Sequence, residues 1–292
     1  MKNEKIYNGN INHKLETVII YDVKYLRKSF DITYEQQLKL KREISFYKYC
    51  EKLGINNVPN LYNSDNNSIT IEFIKGDSIN YLDLNNLYYF TNFINDLNPF
   101  NLNNKAKYNI HAGEAVLSKN MLFENINTRS LILSETRMYH PKNLVFTIDK
   151  LLNLFSSEVI NVGKIIVSPS DFGVHNFILK DKDPYFIDFE YSGKDSILKC
   201  ILDFVLHPAN NIDFEDLELY IENFKNSLNL NDFKISKYTI NIFCIWWILR
   251  LLNSITNNAI NFRIAKGLIL LNERDEFIEN RVKNIQKFYN YI

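Results

Sequence analysis

Glycine is scarce, with 8 in 292 residues, so each one marks a turn or a backbone approach too close for a side chain. The three cysteines, Cys50, Cys200 and Cys244, have no Cys-x-x-Cys spacing. An odd, scattered set argues against a disulfide framework, and buried reduced thiols are expected. Net charge is absent too: 34 basic residues balance 34 acidic ones. No global field draws the chain to nucleic acid or to an anionic membrane, and neither is expected as a partner. The most apolar run, Ile240 to Leu252, contains Asn241 and Arg250 and is too short to span a bilayer. The opening MKNEKIYNGN lacks an apolar signal core, so a cytoplasmic location is expected. His111, His140, His175 and His207 are dispersed and form no zinc spacing. Ser168 and Ser170 flank Pro169 without a G-x-S-x-G elbow, so serine hydrolase chemistry has no support.

The length leaves room for one large domain or two lobes. Residues 5 to about 30 read as strands: Ile6-Tyr7, Leu15 to Tyr21, and Val23 to Lys28. Residues 32–52 carry helix-spaced apolar positions, and Gly54 follows as a stop. A turn at 57–60 precedes a strand from Ser68 that ends by Gly76. Beyond Gly76 helical patterns dominate, broken by short strands at 177–179 and 185–188. Residues 98–104 are Asn-rich and read as a loop, 112–118 as a helix, and 235–255 and 274–291 as the last two helices. The aromatic content of that penultimate helix (Phe243, Trp246, Trp247) reads as core packing. The acidic stretch 213–218 reads as a helix start. The predicted class is α+β, with residues 1–76 a small β-rich lobe holding one helix and 77–292 a larger, mainly helical lobe.

The chemistry is concentrated after Pro169. Asp171 and Asn176 stand five apart, followed by Phe177-Ile178-Leu179, a charged turn at 180–183, and Tyr185-Phe186-Ile187-Asp188. Asp171 alone would read as a turn residue. Two apolar runs joined by a charged turn read instead as a hairpin that brings Asn176 and Asp188 together. One carboxylate to orient a hydroxyl and accept its proton, and an Asn with a second carboxylate as magnesium ligands, is the equipment of phosphoryl transfer. The tripeptide Asp171-Phe172-Gly173 spells the metal-binding D-F-G of protein kinases, which needs a D-x-x-x-x-N pair upstream. The upstream candidate, Asp149, has Leu154 at that position, so Asp171 belongs to the catalytic loop and Asp188 to the metal. Lys28 ends a strand-like segment and Glu43 lies in the following helix. Paired, they would place an ammonium on nucleotide phosphates. Lys24 and Lys39 compete with Lys28, and a pair of solvated charges is the plain alternative. The phosphate-covering loop would be residues 7–12, with Gly9 its one glycine.

With these residues the chain resembles the aminoglycoside phosphotransferase and choline kinase family, within the protein-kinase-like fold. The carriers are Glu72 to Gly76, similar to that family's hinge; Asp171 to Asn176, similar to its catalytic loop; and Ile187-Asp188-Phe189-Glu190, similar to its metal motif. Residues 195–204 look like the segment in which an Asp, here Asp203, supports the catalytic region. The resemblance implies Asp171 as catalytic base, Asn176 and Asp188 as magnesium ligands, and Lys28 with Glu43 at the phosphates. Glu72 and Ile74 would form the hinge beside the adenine, Glu72 in a structural role. ATP with Mg2+ is the implied donor, with GTP left open, and a small-molecule hydroxyl compound the acceptor. The family usually carries a histidine two residues before the catalytic Asp, where this chain has Pro169, and a richer glycine loop. Those departures set up two alternatives: a catalytically degenerate binding module, and a protein kinase, which lacks its H-R-D and A-P-E here.

Overall fold

Alternating residues at 14–20 and 23–29 form β2 (Lys14–Ile20) and β3 (Val23–Ser29) in a computed structural model that describes residues 3–5, 14–79, 81–99, 108–155 and 157–292. Tyr21 and Asp22 both take positive φ, 49° and 63°. That is the two-residue hairpin connection whose twist matches the strands. β1 (Asn3–Lys5) pairs with β2, and β4 (Leu61–Ser64) and β5 (Ser68–Glu72) complete a five-stranded antiparallel sheet in the order β1-β2-β3-β5-β4. Between β3 and β4 runs α1 (Tyr34–Leu53), started by the Thr33 side chain accepting the Gln36 N–H and stopped by Gly54 at φ 70°. Its buried positions Leu40, Glu43, Tyr47 and Cys50 follow the helical period and face the sheet and the second lobe.

The chain leaves the sheet through Gly76, where a Cβ would lie 2.3 Å from the Leu179 carbonyl oxygen. This close approach lets β6 (Asp77–Ser78) pair with β8 (Phe177–Lys180), which pairs in turn with β9 (Asp183–Phe186) in a three-stranded sheet. The helical lobe contains α2 (Leu84–Leu97), α3 (Lys119–Ser130) and α4 (Leu144–Leu154). Then come β7 (Ile165–Ser168), β8 (Phe177–Lys180), β9 (Asp183–Phe186) and β10 (Gly193–Ser196). It closes with α5 (Ile197–Val205), α6 (Leu217–Ser227), α7 (Lys237–Ser254), α8 (Asn257–Ala265) and α9 (Arg274–Tyr291). Phe90 and Phe93 of α2 pack on Phe172, Phe177 and Phe186, so an aromatic core lies directly beneath the loop at 169–176. Trp246 and Phe243 of α7 are buried, as their aromatic pattern predicts, and the three cysteines are free and buried.

Three expectations need correction. Residues 112–118 are not helical: Glu114 has φ 56°, and the Ala112 and Val116 N–H groups donate to the Lys194 carbonyl and the Asp195 carboxylate. Tertiary bonds thus claim the backbone groups a helix needs, and α3 starts only at Lys119. The second hairpin strand ends at Phe186, leaving Asp188 beyond it at φ 63°. Strands β4, β6, β7 and β10 were not foreseen. The expected strand at 6–7 and the loop at 7–12 with Gly9 lie outside the described residues, as does most of 98–104.

Candidate active site

Lys28 sits on the central strand β3, paired with Ile69 of β5, and is buried. Its Nζ lies 2.6 Å from Asp188 Oδ1, 2.9 Å from Glu43 Oε2 and 3.2 Å from Glu190 Oε2. One ammonium thus ties the sheet to α1 and to the segment after β9. Lys39, one turn before Glu43 on α1, lies 3.3 Å from the other oxygen of Glu190 and 4.6 Å from the centre of the Tyr191 ring. Lys24 instead stands over the Phe73 ring. Burial lowers the proton affinity of Lys28, but Asp188, Glu43 and Glu190 more than reverse that and hold it well above the ordinary range. Burial pushes the Glu43 carboxyl up, and Lys28 pulls it back only part of the way, to about 7. Glu190 and Lys39 join this cluster, Glu190 without an expected role of its own and Lys39 as a competitor of Lys28. The Glu190 signal was its place two residues after Asp188.

At the hinge, Glu72 Oε2 accepts from the Asn60 side-chain amide at 2.8 Å, and its other oxygen lies 3.8 Å from Lys180 Nζ. Glu72 thereby links β5 to the start of β4 and the end of β8. Ile74 is buried beside it.

The loop carrying Asp171 and Asn176 leaves β7 through a strained turn. Ser170 has φ 68°, and the Asp171 N–H donates to the Pro169 carbonyl. The Asn176 amide donates to the Asp171 carbonyl at 3.0 Å, which leaves Asn176 Oδ1 as an acceptor. The Ile187 N–H donates to the Asn176 carbonyl at 3.0 Å, so Asn176 and Asp188 are brought together beyond the paired ends of the hairpin. Asn and carboxylate oxygens are hard donors suited to magnesium rather than to a soft metal. Glu43, Asp188 and Glu190 each present an oxygen within 4.8 Å of the others. Asn176 Oδ1 and the Asp188 carboxylate are donors of the kind a magnesium ion takes.

Asp171 has histidine partners instead of a lysine. Its Oδ1 lies 3.3 Å from His207 Nε2 and 3.7 Å from His175 Nε2. Burial pushes its carboxyl up, but hydrogen bonds and charge from His175 and His207 outweigh burial and hold it well below the ordinary carboxylate range. Below the loop, Lys199 Nζ joins Asp203 at 2.8 Å, Asp195 at 3.0 Å and the Ser170 hydroxyl at 3.3 Å. Asp203 thus supports the loop from beneath, through Lys199. Arg250 stands 4.5 Å from the Trp247 ring centre, with Nη1 3.8 Å from Asp203. Nearby, Arg129 pairs with Glu114. The sequence placed His175 beside the loop, whereas His207 and Arg250 had no local motif to announce them.

No family model matches the chain, and no curated protein matches it. Solved structures do match. A spectinomycin phosphotransferase in complex with ADP and spectinomycin superposes with TM-score 0.61 at 12% identity, covering 99% of this chain and 92% of that one. An ethanolamine kinase from Plasmodium vivax gives 0.59 at 15% identity, covering 100% and 84%. A choline kinase from Cryptosporidium parvum Iowa II gives 0.55 at 12%, covering 99% and 88%. The fold is that of the aminoglycoside phosphotransferases and choline kinases. In that kinase-like fold the Lys28 cluster lies between the sheet lobe and the helical lobe, and Asp171 lies on the helical side.

Proposed function

We propose that this chain is an ATP- and magnesium-dependent small-molecule kinase that phosphorylates a hydroxyl group. One observation carries the reading: a strained loop carries Asp171 and Asn176, the Ile187 N–H bonded to the Asn176 carbonyl sets the Asp188 segment beside that loop, and Asp188 meets the buried Lys28–Glu43 pair. Asp171, ionised and oriented, accepts the proton of the acceptor hydroxyl as its oxygen forms the new bond to the γ-phosphorus; the bond to the β–γ bridging oxygen breaks and ADP leaves. Asn176 and Asp188 would hold magnesium, which when bound offsets charge on the phosphate oxygens. Lys28, fixed by Glu43, presents an ammonium to the phosphates. Positioning and electrostatic stabilisation do most of the work.

ADP in the spectinomycin phosphotransferase structure supports an adenine nucleotide, and the small acceptors named for the similar structures support a small hydroxyl compound. We assign 1–76 to the nucleotide lobe and 77–292 to the catalytic and acceptor lobe. Burial pushes all three thiols up, which suits a reducing cytoplasm. Thermal melts with ATP or GTP, with and without Mg2+, test the donor, and ADP release against a panel of sugars and amino alcohols tests the acceptor. MgATP is expected to stabilise the wild type, and Asp188→Ala to lose the magnesium dependence and the turnover. Magnesium-dependent turnover retained in Asp188→Ala overturns the metal assignment. No stabilisation by any nucleotide favours a degenerate module, the reading that Pro169 suggests. Phosphate incorporation into proteins alone favours a protein kinase.

A further inference from the structure

After α5 the chain makes one tight 3-10 turn, Pro208–Asn210, with His207 at its start. The Ala209 N–H donates to His207 Nδ1 at 3.1 Å. An imidazole nitrogen that accepts an N–H carries no proton, so the neutral ring bears its hydrogen on Nε2. That nitrogen is the one 3.3 Å from Asp171 Oδ1. The ring has little freedom to turn away: His175 stacks on it at 4.7 Å and 16°, and Trp247 meets it edge-on at 4.9 Å.

The turn itself is bolted to the catalytic loop. Asn210 is fully buried; its Oδ1 accepts the Val174 N–H at 2.8 Å, its amide donates to the Phe204 carbonyl at 2.6 Å, and its own carbonyl accepts the Leu82 N–H at 3.1 Å. The loop is therefore gripped twice by one turn, at the Val174 backbone through Asn210 and at the Asp171 side chain through His207. Pro169 has neither a side-chain donor nor an N–H and supplies no such support from within the loop.

We propose that His207 is a positioning residue for Asp171: as a neutral Nε2–H donor it fixes Oδ1 and leaves Oδ2 free for the proton of the acceptor hydroxyl. This rests on the kinase reading above. The same tautomer argues against zinc at the Asp171, His175 and His207 trio, whose ligand atoms lie within 4.8 Å of one another. Nε2 has no lone pair to give a metal unless the Ala209 bond is broken.

The test has an activity arm and a spectroscopic arm. In the first, the slow hydrolysis of MgATP with water as acceptor is measured for wild type, His207→Phe and His207→Gln, with thermal melts to show that each is folded. Phe keeps the ring packing and removes the donor; Gln restores a donor near the Nε2 position. His207→Phe is expected to lower kcat about 10–100-fold, the scale of an ångström-sized misplacement of a reacting group. KM for MgATP should stay within about twofold of wild type, and Gln should recover most of the loss. Wild-type kcat in His207→Phe, or an equal loss in both variants, overturns the proposal. In the second arm, long-range 15N–1H spectra of the wild type are expected to show His207 as the Nε2–H tautomer, unchanged by equimolar Zn2+. An Nδ1–H tautomer, or zinc-dependent shifts at His207, overturns the proposal whatever the turnover. No MgATP binding or hydrolysis in the wild type, with the Nε2–H signature intact, overturns the kinase reading and with it the catalytic part of the proposal, while the His207–Asp171 geometry stands.

Discussion

The Lys28 cluster and the Asp171 cluster hold carboxylates by different means. At Lys28, three carboxylates and two ammonium groups meet in a buried junction between β3, α1 and the segment after β9. Charge is held by opposite charge there. Asp188 is the most exposed of the three carboxylates, at 38%. At Asp171, one partly exposed carboxylate is held by two histidine rings in place of a full cation. The first arrangement suits the binding of a charged partner. The second fixes the carboxylate's orientation and keeps it ionised, which suits a group that positions a hydroxyl for phosphoryl transfer.

The sharpest way to break this contrast is Asp171→Asn. The amide keeps the shape and still accepts from His207 Nε2–H, so the fold should be retained, with the urea midpoint lowered by loss of the ionised carboxylate's interactions with the two histidines. Turnover should fall by roughly 10²–10⁴-fold, the usual scale for loss of a general base, with MgATP affinity retained. Equal turnover would mean that the loop positions substrate without proton transfer to Asp171.

Lys28→Met should do the reverse, with stability as the first casualty. Glu43 and Glu190 are buried, and removing their shared ammonium leaves them facing each other and Asp188. Breaking a buried ion pair in this way costs about 3–5 kcal/mol, read from urea denaturation at pH 8. Burial already pushes Glu43 up to about 7 with Lys28 in place. Without Lys28 it moves higher, so the folded variant binds a proton that the unfolded chain, with a glutamate near 4.3, releases. The variant's stability should therefore be lost as pH rises through 7 and partly regained between about pH 7 and 5. A deficit that does not change with pH would show that lost packing of the lysine stem, rather than stranded carboxylates, sets the cost.

Much of the site was legible because its signals are local: the Asp171–Asn176 spacing, the charged turn between two apolar runs, and a carboxylate after the second run. The choice among lysines was not. Lys24 and Lys28 share a face of β3 by the two-residue period, so alternation cannot separate them; only the distance along the strand to Glu43 does. The helix expected at 112–118 failed because good helix formers there give their N–H groups to Lys194 and Asp195. Gly193–Ser196 has little strand preference and forms β10 because β7 lies beside it. His207 reaches Asp171 from 36 residues away through a single turn set by Asn210, and no spacing rule covers that distance.

The finest test of the contrast is the titration of Asp171 itself. Burial raises its carboxyl, and the hydrogen bonds and charges from His175 and His207 lower it by more. Its folded value lies below the unfolded value near 3.9, so Asp171 contributes stability that is present above that pH and is lost as pH falls through its folded value. At neutral pH the base is fully ionised without any help from the Lys28 cluster. The 13C carboxyl signal of Asp171 should accordingly titrate below the ordinary aspartate range in the wild type, and move upward in His207→Phe, where burial is less opposed. The same signal should stay put in Lys28→Met if the two clusters are separate devices. A shift there as large as that of His207→Phe would show that the two clusters act as one electrostatic unit and that the ammonium sets the base after all.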